Sequence, residues 1–215
     1  MLNSALFRGF EASEVQKMLK CIGGKIKICN TNETIMSYKE APYYLYVVLK
    51  GTAELASYDY DGNKTVLERF APDSIFGDMF FKPLGKDEFS VYATTSCEIL
   101  YFRYYDAITQ CENVCKRHRT FTDNLFSILS AKLVHQSEHI EILTKRTTRE
   151  KLICYLTHRE AEFGSFSFSV PMSLSALADY LSVDRSAMQR EIKRLNDEGI
   201  IQSKGKKITL IKRGM

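Results

Sequence analysis

No run in these 215 residues approaches the length of a membrane-spanning helix. The opening MLNSALFRGFEASEVQKML places Glu11 and Glu14 where a secretory leader would need an apolar core. Export and membrane contact are therefore not expected, and a cytoplasmic protein is. The six cysteines, Cys21, Cys29, Cys97, Cys111, Cys115 and Cys154, are too sparse for a disulfide framework and read as reduced thiols. All four histidines, His118, His135, His139 and His158, lie in the second half. The first half thus lacks the histidines that a metal-dependent oxidative or isomerising barrel would need. A Gly-x-Ser-x-Gly elbow, a P-loop and a dinucleotide glycine pattern are also missing, so no enzymatic activity is expected.

What is present divides unevenly. Hydrophobic residues make up 45% and charged residues 26%, ordinary values for a globular chain whose length suits one large or two modest domains. The net charge is only +4, yet residues 1–110 carry a balance of −2 and residues 145–215 one of +6. A basic C-terminal end is the electrostatic footprint of a nucleic-acid-binding module.

Residues 25–105 read as an all-β unit. Short apolar or alternating runs recur at Ile26–Cys29, Tyr44–Leu49, Ala53–Ala56, Thr65–Phe70, Ser90–Ala93 and Glu98–Phe102. Turn signals separate them, at Lys50-Gly51, Asp59–Asn63 and Ala71-Pro72-Asp73. This spacing predicts a barrel or sandwich that encloses side chains or a small ligand. From Asp106 to Leu143 the period becomes helical. Phe126, Leu129, Leu133, Gln136, Ile140 and Leu143 step by three and four, a heptad seam suited to dimerisation. Gln136, with Ser137 beside it, either fixes register in that seam or faces a ligand. His135 and His139 are expected to flank the interface. The polar stretch Thr144–Thr148 reads as a hinge.

The most informative stretch is Ser173–Leu195, two short helices joined by a tight turn. Ser173 is placed to cap the first, which carries Leu174, Leu177, Ala178 and Leu181 on one stripe. Asp184 caps the second. There Ala187, Met188, Ile192 and Leu195 point inward, leaving Arg185, Ser186, Gln189, Arg190 and Lys193 outside. A helix fits the major groove of B-DNA, and arginine bridges guanine O6 and N7 with two parallel donors. Gly199 stops the helix. Ile200–Ser203 and Ile208–Ile211 then form strands around the basic turn Lys204-Gly205-Lys206-Lys207, a wing whose lysines suit phosphate contacts.

This order of barrel, long seam helix and winged helix-turn-helix resembles the Crp/Fnr family of bacterial transcription regulators over nearly the whole chain. The likeness is most specific in LADYLSVDRSAMQREIKRLNDEGII with the KGKKITL wing. It is also specific in Phe76-Gly77-Asp78 leading to Ser90, after Ala71-Pro72-Asp73, which is similar to the family's phosphate-binding cassette. The resemblance implies an α+β fold in three parts. These are a cyclic-nucleotide-binding-like β-barrel of jelly-roll type over 1–110, a dimerisation helix and hinge over 111–146, and a winged helix-turn-helix over 147–215. It implies a homodimer on palindromic double-stranded DNA, RNA polymerase as a partner if the protein activates, and a small-molecule effector in the barrel that reorients the two recognition helices. Arg185, Ser186, Gln189 and Arg190 carry over as the base-reading set, with Ser173 and Lys193 beside them and Lys206 and Lys207 on phosphate. The implied effector set is Phe76, Gly77, Asp78, Phe89, Ser90, Gln136 and Ser137.

The sequence departs from that family's cyclic AMP binders at two cassette positions. Asp78 replaces a glutamate, and Phe89 stands where an arginine would hold the cyclic phosphate. A buried phosphate without its arginine is an unpaired charge costing several kcal/mol, so cyclic AMP is not the expected effector. Lys82 or Lys86 as a substitute keeps a nucleotide reading open. Phe80, Phe81 and Phe89 fit either an aromatic effector or core packing. Ser186 replaces a glutamate in the base-reading set, which loosens discrimination at one step. Two alternatives stand beside the effector-controlled regulator. One is a constitutive DNA-binding regulator with a degenerate sensor. The other is a redox or metal sensor built on Cys111, Cys115 and His118, spaced i, i+4 and i+7. Small buried cysteines are the favoured reading of that trio, so no metal site is expected.

Overall fold

The computed structural model describes residues 4–38, 43–59, 61, 64–77, 89–109 and 116–211. The chain forms two compact units, Met1–Lys132 and Leu133–Met215. The first opens with a short 3-10 turn, Ala5–Phe7, and helix α1, Ala12–Cys21. Glu11 and Glu14 cap α1 reciprocally, each accepting from the other's backbone N–H. Strands β1 (Lys25–Cys29), β2 (Thr34–Ser37), β3 (Tyr44–Lys50), β4 (Ala53–Tyr58), β5 (Lys64–Phe70), β6 (Ile75–Gly77), β7 (Phe89–Ala93) and β8 (Cys97–Arg103) follow. Every pairing described among them is antiparallel, in two four-stranded sheets ordered β1-β8-β3-β6 and β2-β7-β4-β5. Two helices complete the series, α2 (Tyr104–Ile108) and α3 (Lys116–Thr144).

β3 explains why this half folds as it does. Tyr46 and Val48 point into the space between the sheets, beside Phe76, Val91, Cys97 and Ile99. Leu45, Val47 and Leu49 point the other way, onto Leu6, Met18, Ile22, Phe121 and Leu125. A strand buried on both faces reads as a continuous apolar run, which is how Tyr44–Leu49 stands in the sequence. The inter-sheet core is strongly aromatic. Phe76 stacks on Phe70 with ring centroids 4.7 Å apart and on Tyr46 at 5.3 Å, and Tyr46 in turn stacks on Tyr101 at 5.8 Å.

In this unit the strands that sequence periodicity does not mark are β2 and β6. The first has only Ile35 and Met36 as a buried pair and the second is three residues long, so neither shows alternation. The helical period expected from Asp106 is met by two elements. α2 ends at Ile108, where the Thr109 N–H closes back on the Tyr105 carbonyl, and α3 begins at Lys116.

In the second unit the end of α3 is followed by α4 (Thr148–Phe163), β9 (Ser167–Ser169), α5 (Leu174–Leu181), α6 (Arg185–Asp197), β10 (Ile201–Lys204) and β11 (Lys207–Leu210). One core joins them, with Ile142, Leu152, Leu156, Phe168, Leu177, Met188, Leu195 and Ile208 all buried. Burial also pushes the Tyr155 phenol up to about 12, so it stays neutral in that core. The wing has a third strand that the sequence did not announce, since β9 pairs with β11 in a sheet ordered β10-β11-β9. The polar stretch Thr144–Thr148 is a hydrogen-bonded corner. Thr147 Oγ1 accepts from the Glu150 N–H at 3.1 Å, while the Glu150 carboxylate accepts from the Arg146 and Thr147 N–H groups at 3.1 and 3.0 Å.

Gly77 sits where only glycine fits. Its φ is +142°, and a Cβ would stand 2.3 Å from the Tyr44 carbonyl oxygen. Gly77→Ala is expected to destabilise the N-terminal unit by about 1–3 kcal/mol, the usual cost of forcing such a backbone. Thermal unfolding followed by circular dichroism checks this, and an unchanged midpoint would contradict it.

Candidate nucleic-acid interface

Helices α5 and α6 meet at a turn built from capping interactions. Ser173 Oγ accepts from the Ala176 N–H at 3.1 Å and starts α5. Ser182 ends it in the left-handed region, with φ +51°, its N–H returning to the Ala178 and Asp179 carbonyls. Asp184 Oδ1 then accepts from the Ala187 N–H at 2.8 Å and starts α6. Both caps stand where the sequence places them. Met188 and Leu195 are buried and Ala187 and Ile192 half-buried, while Arg185, Ser186, Gln189, Arg190 and Lys193 are all exposed. At 100° per residue those five fall within an arc of about 140°, one continuous polar face.

A feature absent from the sequence reading holds that face outward. Glu191 lies on the buried side of α6, accepting from Arg149 Nη1 of α4 at 3.0 Å. The same guanidinium reaches both oxygens of Glu198 at 3.0 and 2.5 Å. Arg194 approaches the other Glu191 oxygen at 3.5 Å. The carboxylates keep Arg149 charged, Glu198 above all. At the far end of α6, Asn196 donates to Ser203 Oγ at 2.7 Å and accepts from the Ser203 N–H at 2.8 Å, tying the helix to the wing. Nothing in sequence spacing marks these partners, because each joins elements that are separate in the chain. The wing itself turns at Gly205, with φ +62°, and exposes Lys204, Lys206 and Lys207.

The seam residues of α3 divide. Phe126 is 70% exposed, Leu133 65%, Ile140 62% and Leu143 39%. Leu129 is half-buried against the core of the N-terminal unit. Val134, outside the seam series, is exposed as well. Gln136 and Ser137 are exposed and belong to the C-terminal unit. His139, beside the seam, is engaged within the C-terminal unit. Its ring stacks on Tyr180 with centroids 4.1 Å apart, and its Nε2 lies 2.8 Å from the Tyr180 carbonyl, which fastens α3 to α5.

Of the expected effector set, Phe76 is fully buried in the aromatic stack and Gly77 supplies the close approach to Tyr44. Phe89 is half-buried and Ser90 buried, paired across β4 with Ser57 and Ala56. Asp78, Phe80, Phe81, Lys82 and Lys86 lie outside the described residues, as do Cys111 and Cys115. His118 is buried, with Nε2 2.8 Å from the Ala107 carbonyl and Nδ1 3.8 Å from Cys21 Sγ. Both ring nitrogens are thus engaged within the N-terminal unit.

The family model of the cyclic nucleotide-binding domain matches residues 27–113, and that of the Crp-like helix-turn-helix domain matches residues 150–214. The transcriptional activator protein FnrL of Cereibacter sphaeroides is 23% identical over 173 residues, covering 76% of this chain and 67% of that protein. FnrA of Stutzerimonas stutzeri is 24% identical over 92 residues, 40% of this chain and only 38% of that activator's length. Among solved structures, CprK complexed with OCPA shares the fold with a TM-score of 0.67 at 14% identity, over 92% of each chain.

Arg149 is a third exposed and Glu191 a tenth. Arg149→Met is therefore expected to destabilise the C-terminal unit, by less than the loss of one partner of a fully buried pair. Adding Glu191→Leu should recover part of that stability by removing the stranded carboxylate. Denaturant titration of both variants checks this, and a double variant no more stable than the single would count against the pair's role.

Proposed function

Because the chain belongs to the Crp/Fnr family of DNA-binding transcription regulators, we propose that it binds palindromic double-stranded DNA as a cytoplasmic homodimer, with a small effector in the β-sandwich setting its activity. The observation that carries this reading is the single exposed face of Arg185, Ser186, Gln189, Arg190 and Lys193, braced from behind by Arg149. Ser173, at the start of α5, and the wing lysines Lys206 and Lys207 are assigned to phosphate, and the α6 residues to base edges. Arg190 reads guanine. As an activator, the protein would also meet RNA polymerase.

The dimer rests on the exposed seam. Phe126, Leu133, Ile140 and Leu143 lie on one helix in water, and an apolar stripe of that length is covered in a stable protein. A second copy supplies the matching stripe, with Leu129 at its inner edge. Leu133→Glu combined with Ile140→Glu is expected to give monomers by sedimentation velocity while circular dichroism stays unchanged. Persistence of the dimer would remove the seam from the interface.

The effector is assigned to the residues around Phe76, Gly77, Asp78, Phe89 and Ser90. CprK, which shares the fold, is complexed with OCPA, which supports an effector that is not cyclic AMP. Phe89 in place of an arginine points the same way. A second reading, a constitutive regulator, draws on the Phe70–Phe76–Tyr46–Tyr101 stack, which occupies inter-sheet space that a ligand would need.

Selection of bound sequences from a random DNA pool, with and without a small-molecule extract of the host, tests the proposal. A two-fold palindrome with a guanine in each half-site is expected, and dependence on the extract separates the effector-controlled reading from the constitutive one. Arg190→Ala should cost about 1–3 kcal/mol at that guanine alone. Lys206→Ala with Lys207→Ala should weaken all sequences together and flatten the salt dependence by roughly two counterions per chain. Absence of any palindrome under both conditions would overturn the reader assignment.

A further inference from the structure

We infer that Glu141, Cys154 and His158 form a binding site for a divalent transition-metal ion of the zinc class, within the C-terminal unit and apart from the DNA-reading face. Cys154 and His158 stand one turn apart on α4 and so share a face. Glu141 is on the last turn of α3. Their ligating atoms, one carboxylate oxygen, one thiol sulfur and one imidazole nitrogen, all lie within 4.8 Å of one another.

The detailed geometry is close to what an ion requires. Glu141 Oε2 lies 3.2 Å from His158 Nε2. Two donors each about 2.1 Å from a tetrahedral zinc ion stand about 3.4 Å apart, so little movement is needed to accept one. His158 Nε2 is buried yet has no hydrogen-bond partner among the described residues, despite its closeness to that carboxylate. The carboxylate oxygen is close to the imidazole nitrogen without forming an aligned hydrogen bond with it, which leaves both atoms available as donors to an ion. The other Glu141 oxygen is taken by Lys145 Nζ at 2.9 Å, which orients the carboxylate and leaves Oε2 facing the histidine.

The donor set selects the ion. Thiolate, imidazole and carboxylate together suit Zn²⁺ or Co²⁺, whereas calcium and magnesium require oxygen ligands. On binding, a sulfur–metal bond forms as the Cys154 thiol releases its proton to solvent, and His158 coordinates as the neutral ring. Three protein ligands leave a fourth position for water. The ion would fasten the end of α3 to α4 across the Thr144–Thr148 corner.

The test is titration of the metal-free full-length protein with Co²⁺ in a phosphine reductant. One equivalent per chain is expected to give the near-ultraviolet thiolate-to-cobalt band and intensified visible bands of four-coordinate cobalt, both bleached by Zn²⁺. Cys154→Ser should abolish the thiolate band. His158→Gln and Glu141→Gln should each weaken binding at least ten-fold, while Cys21→Ser changes nothing. Circular dichroism of each metal-free variant verifies folding. Zinc-edge X-ray absorption of the unmutated protein gives a reading that needs no variant, with one sulfur expected at about 2.3 Å. No thiolate band at stoichiometric cobalt, a band that survives Cys154→Ser, or a zinc shell without sulfur would each overturn the site.

Discussion

The Arg149 guanidinium carries a disproportionate share of the C-terminal unit. It meets Glu191 on the buried side of α6 and Glu198 just beyond its end, so one side chain on α4 holds both the rotation and the far terminus of that helix. A carboxylate buried as deeply as Glu191 is tolerated only when charged hydrogen bonds replace its water. Rotating α6 by one residue would strand that carboxylate and bury Arg190 or Gln189 instead. Apolar burial of Met188 and Leu195 drives the helix onto its neighbours, and the ion pairs then choose which of several similar rotations is kept.

The N-terminal unit is organised by a different constraint. β3 has no face left for water, so the two sheets, α1 and the beginning of α3 must all close around it. Phe70, Phe76, Tyr46 and Tyr101 fill the inter-sheet space with stacked rings, each bringing a large apolar area at little rotamer entropy. Binding an effector beside such a stack requires that rings move or that the effector sit at its edge.

Much of this was legible from the chain. The caps at Ser173 and Asp184, the buried positions of α6 and the wing turn at Gly205 follow local rules that act within one or two turns. Six strands of the N-terminal unit were readable because they are five residues or longer and alternate or run apolar, and the four-residue β10 and β11 because a glycine-containing basic turn joins them. β2, β6 and β9 are three or four residues long with no hairpin turn to mark them, and their existence depends on partners far away in sequence. The same reason hid Glu191, Asn196 and the stacking of His139 on Tyr180, since a polar residue's partner on another element leaves no periodic trace. Cys154 and His158 did have a local signal, the i, i+4 spacing. It gained meaning only when Glu141 was brought beside them.

Control of DNA reading must pass through contacts that hold α6 and its neighbours. Within the C-terminal unit these enter from α3 and α4. His139 fastens α3 to Tyr180 of α5, Lys151 donates to the Leu181 carbonyl at the end of α5, and Arg149 grips α6. A ligand shifts the balance between two arrangements only by its difference in affinity for them. Any signal carried along α3 therefore has to be felt at His139 or at the Thr144–Thr148 corner before it reaches the reader. Glu141, Cys154 and His158 lie between those two points. An ion held there would resist changes in the α3–α4 angle and so stiffen the mounting of α6.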